Sequence, residues 1–497
     1  MSTALSLPLL AAAASPIVQP DKPVLPMVVL GAIMTLTYVA IAFDWLHKSL
    51  AAMVGAIAAV AAALTLGVFK DEAGHSAYDR AVHDIIGHDV GVIGVIVGTS
   101  VLVEVAGRSG LFHFLAVKIV KATQGDAVRL LLAIAGATML FVTFLSIAPG
   151  SMIVASLALV VTHELRLDPR PAMLAIGLCA NSAALMTFSS GICTIMLGTA
   201  GNLPYGHFFL VTTPMAFISA AITVAWIRWC YRDVLVNTTS ESERMAQVAA
   251  FDEWALVKDR RLFYRSAGIL GATILGFASA QRLGIGTDFV AFCGGTAALL
   301  FSGIHPDEAI RKVNWSLILF FVGLFVIIGA VQETGLLDWQ ARQMLELAGG
   351  DPVTTMLLIA IFVLVLSGVL DNIPVAATLI PLVRSLEAQG LDPVPLWWTL
   401  VITANLGGNS TPIGSVSSVI ALNGLEKERG IKVGWGEFLK VGGGALAIQA
   451  VVVLAYLWMY ATLGLFPGAA DATGEAARAT ARAAAGVTAR VTAGVTP

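Results

Sequence analysis

Apolar segments of membrane-spanning length follow one another along nearly the whole chain. A helix needs about 20 consecutive, mostly apolar residues to cross the hydrocarbon core of a bilayer. Hydrophobic residues make up 57% of the 497 residues and charged residues 12%, against about 25% charged in ordinary soluble domains, so lipid must solvate most of the surface. The predicted spanning segments are 24–44, 50–69, 90–106, 171–203, 207–229, 263–281, 287–302, 316–332, 396–422 and 438–466.

Two further apolar stretches, 127–165 and 352–386, each contain a helix-breaking interruption near the middle, at 147–150 and at 371–374. Both interruptions contain a proline, which removes a helix hydrogen bond and kinks or ends the helix. We interpret each stretch as a re-entrant helical hairpin, and two full crossings per stretch is the alternative. The predicted fold is an all-α integral membrane protein with about ten spanning helices and two re-entrant helical hairpins.

The segment 90–229 recurs weakly as 316–466. Each copy contains a span, an amphipathic segment, a bent hairpin, a broken span and a closing span. One copy starts outside and the other inside, so we expect two inverted-topology repeats, which are typical of secondary transporters when the helix breaks also match. The matching residues are Gly110 and Gly335, Leu111 and Leu336, Pro149 and Pro374, Asn181 and Asn405, and Thr187 and Thr411.

Lysine and arginine are concentrated in the loops on one side of the predicted membrane, which the positive-inside rule assigns to the cytoplasm. The most basic of these loops is 231–262 with its flanks. Counting crossings from it places both termini outside, and we expect a multi-pass protein of the cell (inner) membrane. The predicted organisation is an N-terminal tail at 1–23, two spanning helices with an acidic external loop at 24–89, the first repeat at 90–230, a cytoplasmic linker at 231–262, two connecting spanning helices at 263–314, the second repeat at 315–468 and a disordered tail at 469–497.

Four interruptions, at 146–151, 181–191, 371–374 and 405–418, are expected to converge inside the membrane. Broken helices free N–H groups, which attract anions, and hydroxyl and amide oxygens are hard neutral ligands that suit Na⁺. For any single serine or threonine, the alternative is a hydrogen bond within its own helix. The candidate site residues are Ser146, Ser151, Asn181, Ser182, Thr187, Ser189, Asp371, Asn405, Asn409, Ser410 and Thr411, and the candidate Na⁺ ligands among them are Asn181, Thr187, Asp371, Asn405 and Thr411.

Asp371 is the most informative of these residues, because a carboxylate near the centre of a bilayer costs roughly 2.5–3.5 kcal/mol on insertion scales. We interpret it as a cation ligand or as a group that exchanges a proton for Na⁺. The alternative is an N-cap for the helix that begins near Pro374. No lysine or arginine falls within the predicted site, so an anion would be held by helix N-termini, amides and a co-bound Na⁺.

Three sequences in the second copy, LDNIPVAATLIPLV, LGGNSTPIGSVSSV and GWGEFLKVG, resemble the arsenite permease/NhaD-type superfamily. This superfamily includes the melanosomal P protein and is related to citrate and dicarboxylate permeases. The resemblance covers roughly residues 90–466 and implies an inverted-repeat fold, elevator-type transport, and Asn372 and Gly408 as further site residues. Ser146 and Ile147 stand where many relatives carry Asp-Asn, which removes one carboxylate expected from the resemblance.

The predicted function is secondary active transport of a small anion, either an oxyanion or a carboxylate, coupled to Na⁺ or H⁺. Na⁺/H⁺ antiport through Asp371 is the alternative, and a membrane scaffold or enzyme is a third hypothesis of another class. The chain has no Gly-Lys dipeptide and hence no Walker A loop, and HELR at His163 is not a zincin motif. We expect no cofactor beyond the coupling ion. The expected partners are a small inorganic or organic ion and the lipid bilayer, with no nucleic acid and with a homodimer left open.

Overall fold

The computed structural model describes residues 23–42, 45–69, 90–236, 240–255, 257–313 and 315–467. The predicted N-terminal tail up to residue 22, the acidic external loop at 71–89 and the C-terminal tail at 469–497 lie outside the described residues. All regular secondary structure in the described ranges is helical, as the sequence predicts.

Twenty helices make up the described part of the chain when the last one is taken together with its internal π-helical turn at Leu439–Gly443. They are α1 Val24–Ala42, α2 Lys48–Thr65, α3 Val90–Arg108, α4 Leu111–Lys121, α5 Ala127–Leu145, α6 Ile147–Glu164, α7 Arg170–Ala183, α8 Ile192–Ala200, α9 Tyr205–Cys230, α10 Glu241–Ala249, α11 Arg260–Leu283, α12 Thr287–Ser302, α13 Pro306–Ile310, α14 Trp315–Thr334, α15 Leu336–Leu347, α16 Pro352–Val369, α17 Asn372–Ala388, α18 Pro393–Gly407, α19 Val416–Arg429 and α20 Trp435–Thr462.

The lengths and surfaces of these helices fit a bilayer. Nine helices of the described ranges are long and apolar enough to cross, or ten if the bent pair α3 and α4 is counted as one span. Large apolar side chains point outward, including Leu275 at 72%, Leu300 at 74% and Val451 at 69% exposure. Apolar surface on this scale marks contact with a membrane or a partner, which confirms a multi-pass integral membrane protein.

Both predicted hairpins are pairs of helices with a sharp break between them. The first pair, α5 and α6, breaks at Ser146, which adopts φ 71°, and the second, α16 and α17, breaks at Leu370 and Asp371. The break falls before the proline in each pair, because Pro149 and Pro374 lie in the first turn of the following helix, where a missing N–H is tolerated. Arms of 17 to 19 residues are about 27 Å long, so their length fits both a re-entrant hairpin and two crossings.

The order of helices repeats along the chain, with α3 to α9 matched by α14 to α20. Gly110 and Gly335 have φ 79° and 81° and precede α4 and α15. This left-handed conformation costs a glycine little and other residues much more, which explains why the pair stands out in the sequence.

The two broken helices pass each other in opposite directions. α8 lies antiparallel to α18, and α19 lies antiparallel to α7, so each half of one broken helix packs beside a half of the other. The contacts that establish these directions are Thr194 with Asn405, Gly201 with Trp397, Ser417 with Gly177, and Gly424 with Met173. Opposite directions support the expected inversion of the repeats.

In two closely packed helix pairs, a glycine of one repeat lies against the backbone of a helix outside that repeat. A Cβ on Gly98 of α3 would lie 2.4 Å from the backbone of Ala291 in α12, and a Cβ on Gly323 of α14 would lie 2.6 Å from the backbone of Ala52 in α2. The spacing between Gly98 and Gly323 is the same as that between Gly110 and Gly335. Helices α1–α2 and α11–α12 therefore hold equivalent positions on opposite halves of the molecule.

Ion pairs connect loops that the sequence assigns to the same side of the membrane. Lys121 of α4 pairs with Glu253, Arg108 lies 2.7 Å from Glu308, and Arg170 lies 3.4 Å from Glu437. The contact with Arg108 holds the pKa of the Glu308 carboxyl below its usual value. These contacts support the predicted count of crossings.

Candidate functional site

The site is built around the two loops that interrupt the broken helices, 184–191 and 408–415. Each loop is fastened to the tip of one hairpin through a threonine. The Thr187 hydroxyl donates to the carbonyl oxygen of Thr143 at 3.5 Å, and the Thr411 hydroxyl donates to that of Gly368 at 2.7 Å. Thr143 lies three residues before Ser146, and Gly368 lies three residues before Asp371. The two halves thus make equivalent contacts, as the match between Thr187 and Thr411 predicts.

The second hairpin fits tightly against its loop. Ser367 donates to the Ala404 carbonyl at 2.6 Å and to Asn372 Oδ1 at 2.9 Å, and Asn372 Nδ2 donates to the Asn405 carbonyl at 3.5 Å. A Cβ on Gly408 would lie 2.7 Å from Asn372 Oδ1. Glycine at this position therefore allows Asn372 to reach the loop.

A buried amide chain joins the two broken helices. Asn181 Nδ2 donates to Asn409 Oδ1 at 2.8 Å, and Asn409 Nδ2 donates to Gln449 Oε1 at 3.2 Å. Gln449 Nε2 in turn donates to the Ser219 carbonyl at 3.0 Å and to Thr223 Oγ1 at 2.9 Å. The predicted meeting of Asn181 with the Asn409 region therefore occurs in the structure.

A second connection runs through the matching asparagine. Asn405 Nδ2 donates to Thr194 Oγ1 at 3.1 Å and to the Val401 carbonyl at 2.8 Å. Thr194 in turn donates to the carbonyl of Ala184 at 2.7 Å. Each asparagine of the matched pair therefore reaches into the opposite half.

Three buried polar atoms in this region have no hydrogen-bond partner among the described residues: Asn181 Oδ1, Asn405 Oδ1 and Ser151 Oγ. All three side chains are fully buried. An unsatisfied buried acceptor costs about 1–3 kcal/mol. Two amide oxygens left unpaired at matching positions therefore fit a cation that is bound through oxygen.

The remaining predicted residues make other contacts, of which the one from Ser182 joins α7 to α9. Ser182 Oγ lies 2.9 Å from Ser219 Oγ, and Ser189 Oγ lies 3.4 Å from Thr187 Oγ1. Ser410 donates to the Gly407 carbonyl at 3.0 Å. Ser146 lies at the tip of the first hairpin and its side chain does not cap α6.

The partner of Asp371 differs from what the sequence predicts. Its carboxylate makes no N-cap hydrogen bond to α17. Instead, Lys48 Nζ lies 2.8 Å from Asp371 Oδ2, with the two side chains 45% and 11% exposed. The expectation of a site without lysine or arginine is therefore wrong. Lys48 lies 323 residues earlier in the chain, and only the fold of α2 against the second hairpin brings it there.

The contact also relates Asp371 to the start of a spanning helix. Lys48 is the first residue of α2, so Asp371 lies near the level at which that helix begins.

Gln449 and Thr194 are site residues that the sequence analysis missed. Gln449 interrupts the apolar part of α20, Gly444–Thr462, and a polar side chain inside a spanning helix is a signal that could have identified it. Thr194 carries no comparable signal, because a threonine in a helix usually bonds to its own backbone.

Comparison with known proteins gives the family. The sequence matches the family described as Citrate transporter (CitMHS) over residues 38–403 and 284–493. The chain belongs to this citrate transporter family. It is accordingly a secondary transporter and not an enzyme, as predicted.

The relatives of the transporter agree with the resemblance seen in its motifs. It is 29% identical over 87% of its length to an uncharacterized transporter of Mycobacterium tuberculosis, 98% of which is covered. It is 26% identical over 85% of its length to a 46 kDa membrane protein of Mycobacterium leprae, 96% of which is covered. The human P protein is 24% identical over 86% of this chain and 59% of its own. The predicted superfamily is confirmed.

A solved structure shares the fold. The YdaH transporter of Alcanivorax borkumensis, described as having an unusual topology, superposes with a TM-score of 0.56 at 13% sequence identity. The match covers 85% of this chain and 99% of that one. At this identity, the likeness concerns the fold alone.

Proposed function

We propose that the transporter moves a small anion, a carboxylate or an oxyanion, together with Na⁺ or H⁺. The observation that carries the proposal is the pair of buried, unpaired amide oxygens, Asn181 Oδ1 and Asn405 Oδ1, at the crossing of the two broken helices. The citrate transporter family favours a carboxylate as the anion.

Na⁺ is the favoured coupling ion because the site presents neutral oxygens. Asn181 and Asn405 offer free carbonyl oxygens, and Thr187 and Thr411 use their protons toward the hairpin carbonyls, which leaves hydroxyl lone pairs for a cation. Oxygen ligands of this kind suit hard cations. Asp371 would complete the set only after it releases Lys48.

The anion would bind where positive potential is available. The N-termini of α8 and α19 follow directly after the two loops, and helix N-termini favour negative charge. Lys48 adds a full positive charge beside the second hairpin. A cation bound at Asn181 and Asn405 would further offset the charge of the anion.

The contacts between helices fall into a closely packed group and a group of breakable polar contacts, which fits elevator-type alternating access. The helix pairs α2–α14 and α3–α12, together with α1 and α11, form what we call the frame. In both pairs a glycine of one helix packs against the backbone of the other, which would keep the frame rigid. The hairpins and the broken helices are fastened to one another by the hydrogen bonds described above. Between frame and hairpin lie polar contacts that can break and re-form: Thr378 donates to Tyr38 Oη at 2.5 Å, and Lys48 pairs with Asp371.

Uptake of radiolabelled citrate or succinate into proteoliposomes, with an inward Na⁺ gradient, tests the transport reaction. Asn405→Ala and Thr411→Val should each raise the Na⁺ concentration for half-maximal uptake by about tenfold, because each removes an oxygen ligand. Thr138→Val is the matched control, since Thr138 is fully buried but bonds only to Ile134 of its own helix. Unchanged Na⁺ dependence in both site variants would exclude this cation site.

Cross-linking tests the movement in a background without the four native cysteines. A short bis-methanethiosulfonate linker that joins Tyr38→Cys to Thr378→Cys should stop uptake, and reduction should restore it, because the linker spans the space left by the tyrosine ring and ties the frame to the second hairpin. The control is Ser49→Cys with Ser316→Cys, whose hydroxyls lie 3.2 Å apart within the frame. Full uptake with the first pair cross-linked would rule out relative movement at this boundary.

Na⁺/H⁺ antiport through Asp371 is the second candidate, and the ion pair with Lys48 favours it. Na⁺ and the Lys48 ammonium group would compete for the same carboxylate oxygen, as exchange of one cation for another requires. Antiport is supported if Na⁺ added outside the vesicles drives proton efflux and makes the interior alkaline, and if Asp371→Asn abolishes this change. Na⁺-driven uptake of a labelled carboxylate without that pH change supports the first proposal.

A further inference from the structure

An apolar cleft lies between α5, which is the first arm of the first hairpin, and α9, which is the last helix of the first half. It has a volume of about 650 Å³ and is lined by α5 from Val128 to Leu140 and by α9 from Phe217 to Arg228. Among the described residues that line it, Arg228 is the only charged one. Leu132 and Phe217, at 55% and 56% exposure, lie at its open side, which faces the surrounding lipid.

The two ends of the cleft differ in chemistry. Met186 marks the inner end, because its sulfur accepts a hydrogen bond from Thr143 at 3.2 Å and its carbonyl accepts one from Thr213 at 2.7 Å. Since α5 and α9 lie antiparallel there, Val128 and Arg228 mark the opposite end. The cleft is therefore charged at the end of the spanning segments and apolar toward the interior.

The dimensions of the cleft fit an extended hydrocarbon chain. The distance along α5 from Val128 to Leu140 is about 18 Å at the helical rise, and half of the hydrocarbon core is about 15 Å. An acyl chain of the adjacent leaflet could thus lie along the cleft for its full length.

We propose that the cleft binds one acyl chain of a glycerophospholipid whose phosphate pairs with Arg228. Guanidinium groups recognise phosphate through paired, charge-assisted hydrogen bonds. The ion pairs of the described residues include no carboxylate partner for Arg228, and Arg228 is exposed. Arg129 follows directly after Val128 and adds positive charge at the same end. The Asp126 carboxylate there accepts hydrogen bonds from the backbone N–H groups of Val128 and Arg129, so Arg228 and Arg129 leave positive charge in excess and an anionic headgroup is preferred.

The bound lipid touches the transport machinery. Met186, at the inner end, belongs to the loop 184–191 that holds Thr187. The acyl chain fills the space between the first hairpin and α9, so it sets how closely α5 packs against the rest of the half. The lipid acts as a structural ligand of the site region.

Photo-crosslinking with a phosphatidylglycerol that carries a diazirine in its acyl chain tests the proposal on the full chain in lipid nanodiscs. Labelled peptides from α5 and α9 are quantified by mass spectrometry. Gly136→Leu should reduce this labelling about tenfold, because Gly136 lines the cleft and no atom lies within 4 Å of a Cβ there, so the leucine fills the cleft without a clash. Arg228→Gln should reduce labelling by phosphatidylglycerol by a similar factor and leave labelling by a diazirine diacylglycerol unchanged.

Gly271→Leu is the matched control, since a Cβ at Gly271 in α11 also meets no atom within 4 Å and the residue lies outside the cleft. Ala221→Leu, on the facing side of the cleft, repeats the test if Gly136→Leu fails to fold. Unchanged labelling of α5 and α9 in the cleft-filling variants overturns the proposal. Equal labelling by the phospholipid and the diacylglycerol in the unmodified protein, or a protein–protein cross-link within the cleft, overturns it as well.

Discussion

Breaking the contact between Lys48 and Asp371 is the sharpest test of how the second hairpin is held. The two charged atoms lie 2.8 Å apart, and the aspartate is only 11% exposed whereas the lysine is 45% exposed. Exposed ion pairs contribute about 0–1 kcal/mol, and removing one partner of a buried pair costs about 3–5 kcal/mol. A half-buried pair lies between these limits. We expect Lys48→Met to lower the free energy of unfolding by about 2 kcal/mol.

A double-mutant cycle with Lys48→Met and Asp371→Asn isolates the interaction. The double variant should be more stable than the sum of the single effects predicts, by about 1–2 kcal/mol, because the neutral amide that replaces the carboxylate no longer needs a cation. Denaturant titration in detergent gives the change in the free energy of unfolding for each single variant and for the double variant. Na⁺-dependent uptake by the same variants shows whether the pair also governs transport.

A matched control uses the exposed pair Lys432 and Glu426, which is 2.7 Å apart with side chains 77% and 49% exposed. The cycle with Lys432→Met and Glu426→Gln should give a coupling of less than about 1 kcal/mol. Single effects at Lys48 and Asp371 that add to within about 0.5 kcal/mol would show that the contact does not stabilise the hairpin.

Three further variants test the packing of the site and the frame. Gly408→Ala should abolish uptake while the protein still inserts in the membrane, because the new methyl group would meet Asn372 Oδ1 at 2.7 Å; normal uptake would contradict the close fit of hairpin and loop. Gln449→Leu should lower the free energy of unfolding by about 2–3 kcal/mol, since it leaves buried partners without hydrogen bonds, and denaturant titration would disprove this by showing no change. Gly323→Ala should cost about 1–3 kcal/mol through overpacking, whereas Gly271→Ala, in open space, should stabilise its helix by about 0.5–1 kcal/mol; equal effects in a thermal melt would count against the close helix pair.

The sequence predicts the helices and the meeting of the asparagines because these follow from local chemistry. Apolar length defines a spanning helix, and the glycines at Gly110 and Gly335 and the matching asparagines at Asn181 and Asn405 identify the repeat. An oxygen-rich break within lipid must face other protein, so its convergence with a similar break can be inferred without coordinates.

The partner of Asp371 could not be predicted in the same way. Lys48 sits at the start of an ordinary apolar helix, where a lysine at a membrane boundary needs no special explanation. Its role depends on the packing of α2 against α14 and on the length of the hairpin arms, which bring two distant segments together. The partners of Gln449 were missed for a related reason, because they lie in the loop 408–415 and in α9, far from it in the chain.

The glycine contacts at Gly98 and Gly323 also have a consequence for how the protein is made. Helix α2 leaves the ribosome long before α14, and α3 long before α12, so each early helix stays in the bilayer with its close-packing surface uncovered until the later half arrives. The halves are consequently obligate partners in assembly. If the chain is cut within the 231–262 linker and the two fragments are produced separately, neither fragment should form the frame. Producing both fragments together should restore the frame.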